Sequence, residues 1–204
     1  GNDWVDFRPT PVSGAGFYRG LPNMRPPPDG YFHPGNEIGT TSLVSNGPLK
    51  HTIRTVTSDG LWEVRWEFFP AYARMTVVKR DPAKNYWVLY EGVPGGSLDV
   101  NSDTYTRSNG TTATIANSFG GDLPDPEWIY FSDPPLGRSF FFVHHEDDAL
   151  VDSFRLDNAD PSKANMVIFG FGRSTSGNTT YLSATPNVFT IGFMDEIAFA
   201  PASA

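Results

Sequence analysis

Residues 61–79 read LWEVRWEFFPAYARMTVVK, and this stretch decides the fold class. Every second residue of its first arm is apolar: Trp62, Val64, Trp66 and Phe68. The intervening residues are charged: Glu63, Arg65 and Glu67. Successive side chains of a β-strand point to opposite faces, so this alternation indicates a strand with one buried and one exposed face. The FPA sequence at 69–71 reads as a turn, and the stretch therefore predicts a β-hairpin of strands 61–68 and 72–79.

The rest of the chain repeats short apolar segments between turn residues, with 20 glycines and 18 prolines in 204 residues. No amphipathic helix of three turns can be found. Further strands are predicted at 52–56, 86–90, 112–115, 128–131, 139–144, 166–171, 189–193 and 196–199. This pattern predicts an all-β fold, a two-sheet antiparallel β-sandwich (jelly roll) with long Pro/Gly-rich loops; an up-and-down barrel is the alternative. We expect one domain over 1–204, with residues 1–36 as an N-terminal wrap or loop.

Composition excludes several functions. The chain has no cysteine, so it has no disulfide, thiolate metal site or cysteine nucleophile. Its formal net charge is −8, whereas a nucleic-acid binder needs a basic surface, so nucleic acid is not an expected partner. The same negative charge disfavours polyanionic ligands, unless a local basic cleft outweighs the charge of the whole chain. It has no apolar run near the length of a membrane span, so no membrane partner is expected. We expect a secreted or periplasmic monomer whose signal segment has been removed.

A second informative stretch is RSFFFVHHEDD at 138–148, where an apolar strand ends in two histidines and three acids. His144 and His145 are adjacent, so they point to opposite faces and only one of them can share a face with the charged row of the hairpin. The sequence does not decide which one. Histidine titrates near neutral pH and is a common metal ligand, so a metal site with Asp147 or Asp148 is a further alternative.

The charged row of the hairpin is a candidate binding surface. Tyr72 and Arg74 on the second arm should lie beside it, and a register that avoids placing Arg65 opposite Arg74 pairs Arg74 with Glu63 or Glu67. The strand at 86–90 is expected to add Tyr86 and Tyr90. This face is either an ordinary solvated surface with ion pairs or a surface that binds sugars through hydrogen bonds and ring stacking.

Two motifs carry a resemblance to a known superfamily: FTIGFMDEIAF at 189–199 and WEVRWEFFP at 62–70. They resemble the closing and central strands of the concanavalin A-like lectin/glucanase jelly rolls, including the laminin-G-like domains. The resemblance implies a concave carbohydrate groove. It also implies a structural Ca²⁺ on the opposite side, held by Asp195 and N-terminal groups, and no organic cofactor.

The sequence thus predicts a carbohydrate-active jelly roll that binds an extended polysaccharide or oligosaccharide in a groove. The predicted substrate-binding residues are Glu63, Arg65, Glu67, Tyr86 and Tyr90. The alternative is a polysaccharide-cleaving enzyme, a lyase with the catalytic candidates Tyr72, Arg74, His144 and His145. A glycoside hydrolase is less favoured, because Glu63 and Glu67 on one strand lie ~13 Å apart by rise per residue, whereas a retaining pair needs about 5 Å.

Overall fold

The computed structural model describes residues 4, 6–12, 16–19, 24, 39–157, 166–176 and 179–195. Within them lie fifteen β-strands and one 3₁₀ turn at Pro94–Gly96, and every strand pairing is antiparallel. The strands are β1 Asp6–Val12, β2 Gly16–Arg19, β3 Gly39–Asn46, β4 His51–Thr57, β5 Glu63–Phe68, β6 Tyr72–Lys79, β7 Val88–Gly92, β8 Thr104–Arg107, β9 Thr112–Thr114, β10 Phe119–Gly121, β11 Trp128–Asp133, β12 Arg138–His144, β13 Asp152–Asp157, β14 Met166–Phe171 and β15 Asn187–Met194. No helix in these residues is long and apolar enough to cross a membrane.

Two sheets form a jelly-roll-like β-sandwich, which confirms the predicted fold class. The large sheet has nine strands in the order β3-β4-β5-β6-β15-β12-β11-β8-β9. The small sheet has four strands in the order β10-β13-β14-β7. A separate hairpin joins β1 to β2.

Aromatic rings form the layer between the sheets. Phe142 of the large sheet meets Phe171 of the small sheet edge to face at 4.8 Å between ring centroids, and Tyr90 stacks on Phe140 at 4.5 Å. Tyr105 packs on Phe154 at 4.7 Å. Such pairs add about 0.5–1.5 kcal/mol each beyond the burial of their area. The seven phenylalanines buried in this layer therefore help to join the two sheets.

The predicted strands at 72–79 and 166–171 match β6 and β14 at both ends, and seven others match to within two residues at each end: those at 52–56, 61–68, 86–90, 112–115, 128–131, 139–144 and 189–193. The strand predicted at 86–90 is observed at 88–92, and the one at 196–199 lies outside the described residues. Six strands were not predicted: β1, β2, β3, β8, β10 and β13. The prediction of a loop rather than strands within 8–36 is wrong for β1 and β2; most of the remaining N-terminal segment lies outside the described residues.

Candidate functional site

The two adjacent histidines point to opposite faces of the large sheet, as predicted. His144 lies directly across from Phe189 and is 2% exposed, on the face that packs against the small sheet. His145 follows the end of β12; its backbone N–H donates to the Val188 carbonyl, and its ring Nε2 lies 2.8 Å from Thr190 Oγ1. Its side chain is exposed. The sheet therefore assigns His145, and not His144, to the outer face.

The outer face of the large sheet brings His145 together with the hairpin residues. Thr190, the partner of His145, lies directly across from Arg74 of β6, and Arg74 lies directly across from Glu67 of β5. This confirms the predicted register. We call this surface the outer patch and define it by Lys50, Glu67, Phe69, Tyr72, Arg74, His145 and Thr190.

Ion pairs and rings hold the outer patch in one arrangement. Glu67 Oε2 accepts two hydrogen bonds from Arg74, at 2.6 and 2.8 Å, and its Oε1 accepts one from Lys50 at 2.5 Å. The rings of Phe69 and Tyr72 stack at 4.7 Å, and Tyr72 is 41% exposed. The Arg74 guanidinium lies 5.9 Å from the centre of the Phe69 ring. The patch therefore presents charged groups and an exposed aromatic ring side by side.

The charges of the outer face set its protonation. Hydrogen bonds from Lys50 and Arg74 lower the pKa of Glu67, and the hydrogen bond from Arg54 lowers the pKa of Glu63. Both carboxyls are thus ionised near neutral pH, and each is already hydrogen-bonded to a lysine or arginine of the same face. Desolvation and the nearby Arg74 lower the pKa of His145, which favours its neutral form. A neutral imidazole can accept a proton, so His145 has the chemistry of a general base.

The prediction that Tyr86 and Tyr90 lie on this face is wrong. Tyr86 precedes β7 and Tyr90 lies within it; β7 is a strand of the small sheet, and the two side chains are 0% and 1% exposed between the sheets. Their hydroxyls donate to the carbonyls of Ala184 and Trp4, each at 2.7 Å. These rings belong to the core, because β7 joins the small sheet instead of extending the hairpin.

A buried polar cluster lies at one end of the sandwich, where β12 ends and β11 and β15 begin. His144 Nδ1 lies 2.5 Å from Glu127 Oε2, and Nε2 lies 2.9 Å from Asn187 Oδ1. The three side chains are each no more than 2% exposed. The backbone N–H of Asp148 donates to the other Glu127 oxygen at 2.9 Å. The prediction of His144 as a catalytic residue is therefore corrected: it is buried, both ring nitrogens are engaged, and it fixes the loop after β12.

Acidic side chains surround this cluster. Two groups of residues bring ligand atoms within 4.8 Å of one another: Glu127, His144 and Asp148, and Asp122, Glu127 and Asp152. Burial, with the nearby charges of Glu127 and Asp148, raises the pKa of Asp152 to about 8, although the backbone N–H groups of Gly172 and Leu123 donate to its carboxylate. Burial also raises the pKa of Glu127. A cation between these carboxylates would relieve the charge that they share.

Among the described residues Asp195 does not lie within a group of metal-binding side chains, and the N-terminal groups predicted to join it lie outside the described side chains. The Asp195 side chain is 81% exposed, and its carboxylate accepts hydrogen bonds from Arg138 at 2.6–2.7 Å. It belongs to neither of the two groups found among the described residues. The donor set that suits Ca²⁺ is instead Asp122, Glu127 and Asp152, because calcium prefers carboxylate and carbonyl oxygens.

Sequence reasoning missed several residues of both sites: Lys50, Phe69 and Thr190 on the outer patch, and Asp122, Glu127, Asp152 and Asn187 in the buried cluster. Strand alternation could have placed Thr190 beside Arg74 once β15 and β6 were known to be neighbours. Glu127 and Asn187 stand just before or at the start of a strand, in loops whose residues alone give no signal of burial.

The chain matches no protein-family model, no curated protein and no solved structure. The resemblance to the concanavalin A-like jelly rolls therefore stays a prediction from two short motifs.

Proposed function

We propose that this protein binds an extended polysaccharide on the outer patch. The observation that supports this function best is the meeting of His145, Arg74 and Tyr72 on one exposed sheet face, beside a carboxylate that two cations hold in place. Sugar hydroxyls need donors and acceptors in fixed positions, and a pyranose face needs an exposed ring. The outer patch supplies both.

Preorganisation favours binding at this surface. Lys50 and Arg74 fix Glu67 from two sides, so part of the entropy cost of ordering these side chains is met before a ligand arrives. The stacked pair of Phe69 and Tyr72 adds a rigid apolar platform of a kind that is common at binding surfaces. A secreted or periplasmic location, proposed from the sequence, would bring the face into contact with such polymers.

Retention on a panel of immobilised polysaccharides tests the proposal. We expect retention on at least one glycan, with a loss of roughly five- to tenfold in affinity for Tyr72→Ala, because one stacking contact contributes about 1 kcal/mol. Leu136→Ala, a change at another exposed large hydrophobic residue, is the matched control. Absence of retention on every glycan, or equal loss in both variants, would contradict binding at the outer patch.

A cleaving activity at the same surface is the second candidate, and the lowered pKa of His145 supports it. In a lyase His145 would remove a proton from the sugar, Arg74 would neutralise the carboxylate of a uronate, and Tyr72 would protonate the leaving oxygen. New absorbance from unsaturated ends on a polyuronate, lost in His145→Ala and Tyr72→Phe with retention unchanged, would support this activity. Retention without new ends in the wild-type protein rejects it.

The geometry disfavours a glycoside hydrolase on this face. A retaining or inverting mechanism needs one carboxyl with a raised pKa. Glu63 and Glu67 both have lowered pKa values, because each accepts hydrogen bonds from arginine or lysine. Neither can donate a proton to a leaving group near neutral pH.

We also propose that a structural Ca²⁺ binds among Asp122, Glu127 and Asp152. Calcium added after chelation should raise the melting temperature of the wild-type protein and leave Asp152→Asn unchanged. Asp147→Asn, which removes the same charge from an exposed residue of the nearby loop, should respond as the wild type does. No shift with calcium overturns the site, and a shift with Zn²⁺ alone favours the group of Glu127, His144 and Asp148 instead.

A further inference from the structure

The outer face of the hairpin is positively charged although the whole chain has a formal charge of −8. Four cations lie on it, on β4, β5 and β6 or just before β4: Lys50, Arg54, Arg65 and Arg74. We call these four residues the cationic strip. Among the described residues the acids paired with these four cations are Glu63 and Glu67, so two of the four positive charges remain in excess. This is the local basic surface that the overall composition hides.

Within the strip two arginines face each other. Arg54 of β4 lies directly across from Arg65 of β5, a placement about 5 Å apart that destabilises a sheet when the charges are alike. Arg54 has its own partner, since its guanidinium donates two hydrogen bonds to Glu63, at 2.6 and 2.7 Å. Arg65 is exposed, its other neighbour is Thr76, and no carboxylate of the described residues lies within ion-pair distance of it.

The strip also has a spacing that suits a chain of charges. Arg74 is a diagonal neighbour of Arg65 on the next strand, at a separation of about 7–8 Å. Arg54, Arg65 and Arg74 thus cross three neighbouring strands in one direction. An extended ligand with repeated negative groups could meet them in succession, whereas an uncharged glycan would give Arg65 no ion-pair partner beyond the more distant charge of Glu63.

The acids of the outer face do not cancel this charge. Glu63 and Glu67 are already bound to cations of the strip. The acidic loop at 146–148 follows His145 directly, and the charges of Asp148 and Asp147 in it act, after desolvation, to raise the pKa of Asp122 beside the buried cluster. Desolvation is the main cause that lowers the pKa of His145, and the positive charge of Arg74 lowers it further.

We propose that the outer patch, together with the cationic strip that adjoins it, selects anionic polysaccharides, those with carboxylate or sulfate groups, and that Arg65 of the strip binds the negative group. This inference rests on the proposed function, because it names the ligand class of the same surface. A guanidinium pairs with carboxylate or sulfate oxygens through parallel hydrogen bonds, which a neutral sugar cannot offer.

Binding to polygalacturonate, dextran sulfate, uncharged dextran and poly-glutamate tests the proposal, measured by calorimetry at two salt concentrations. We expect at least tenfold tighter binding to one anionic glycan than to dextran, with affinity that falls as salt rises. Arg65→Gln should weaken that binding roughly 10-fold or more, and Arg65→Lys should recover part of it. Arg138→Gln, which removes an exposed arginine paired with Asp195, should leave it unchanged.

Each of the following other results would overturn one part of the proposal: the anionic ligand class, the preference for a saccharide, or the role of Arg65. Equal binding to dextran, insensitive to salt and to Arg65→Gln, overturns the anionic class and leaves the proposed function standing. Equal binding to poly-glutamate means that charge alone attracts the ligand, and the selection of a saccharide is wrong. Equal losses in the Arg65 and Arg138 variants reject the role of Arg65. No binding to any glycan overturns both this inference and the proposed function, provided that circular dichroism shows a folded protein.

Discussion

Asp103 should make the protein less stable as the pH rises from 4 to 7. Its side chain is 1% exposed at the start of β8; Oδ2 accepts a hydrogen bond from the Asp99 N–H at 2.9 Å, and Oδ1 has no hydrogen-bond partner among the described residues. Burial, with Asp133 and Asp99 nearby, raises its pKa from 3.8 to about 6. Between these two values the folded state keeps a proton that the unfolded state has released, so stability is lost as the pH rises through this window.

The size of the effect follows from the shift. A change of about 2 pKa units corresponds to roughly 3 kcal/mol in the free energy of unfolding. The wild-type protein has lost this amount of stability once the pH is above the folded-state pKa of Asp103. Asp103→Asn is neutral at every pH and removes this loss. The stability of the variant relative to the wild type should therefore rise by about 2–3 kcal/mol between pH 4 and pH 7.

Urea unfolding followed by tryptophan fluorescence at pH 4.0 to 7.5 measures this difference. Asp147→Asn removes the same charge from an exposed residue and should follow the wild type at every pH. If Asp103→Asn and the wild type instead lose stability in parallel, the Asp103 carboxyl does not resist ionisation in the folded state and the reasoning is wrong.

Three further predictions concern the glycine turn and the two histidine environments. Gly95→Ala should cost at least about 1–3 kcal/mol in urea unfolding, because the φ of Gly95 is +68° and a Cβ there would overlap the buried Asp133 carboxylate. Gly110 has φ +78° and open space around it, so Gly110→Ala should show the cost of backbone strain alone in the same experiment. Glu127→Ala should cost about 1–3 kcal/mol or more in urea unfolding, because it leaves His144 Nδ1 and the Asp148 N–H without their hydrogen-bond partner, whereas the exposed Glu146→Ala should change little. The pKa of His145 is lower in the folded state than in the unfolded state, so on acidification the unfolded state binds a proton at a higher pH. The free energy of unfolding should therefore fall as the pH drops below about 6.5. If the stability of His145→Gln falls just as steeply with pH, this reasoning is wrong.

The sequence predicted strands where burial differs between the two faces. β5 and β6 alternate apolar and polar residues because one face of the large sheet packs on the small sheet, and β14 is a continuous apolar run because both of its faces are buried. β3 could not be found in this way. All eight of its residues are exposed at the edge of the large sheet, so its sequence GTTSLVSN has no buried face to reveal a period.

The error at Tyr86 and Tyr90 has a different cause. Alternation shows which residues share a face, but it does not show to which of the two sheets a strand belongs. Trp87, just before β7, and Leu89 within it are buried as well, in a second apolar cluster. With both faces apolar, the pattern of this strand was compatible with either sheet, and only the pairing of β7 with β14 decides the matter.

The adjacent histidines separate two roles that a mutational experiment could confuse. His145 lies in the outer patch and contacts Thr190 there. His144 lies on the other face and contacts the Glu127 carboxyl, which also accepts a hydrogen bond from the backbone N–H of Asp148 in the following loop. A variant of His144 would therefore disturb the loop that begins at His145 and could lower binding without any contact with a ligand. Loss of binding in His144→Ala with lowered stability indicates this indirect route, whereas loss in His145→Ala at unchanged stability indicates contact.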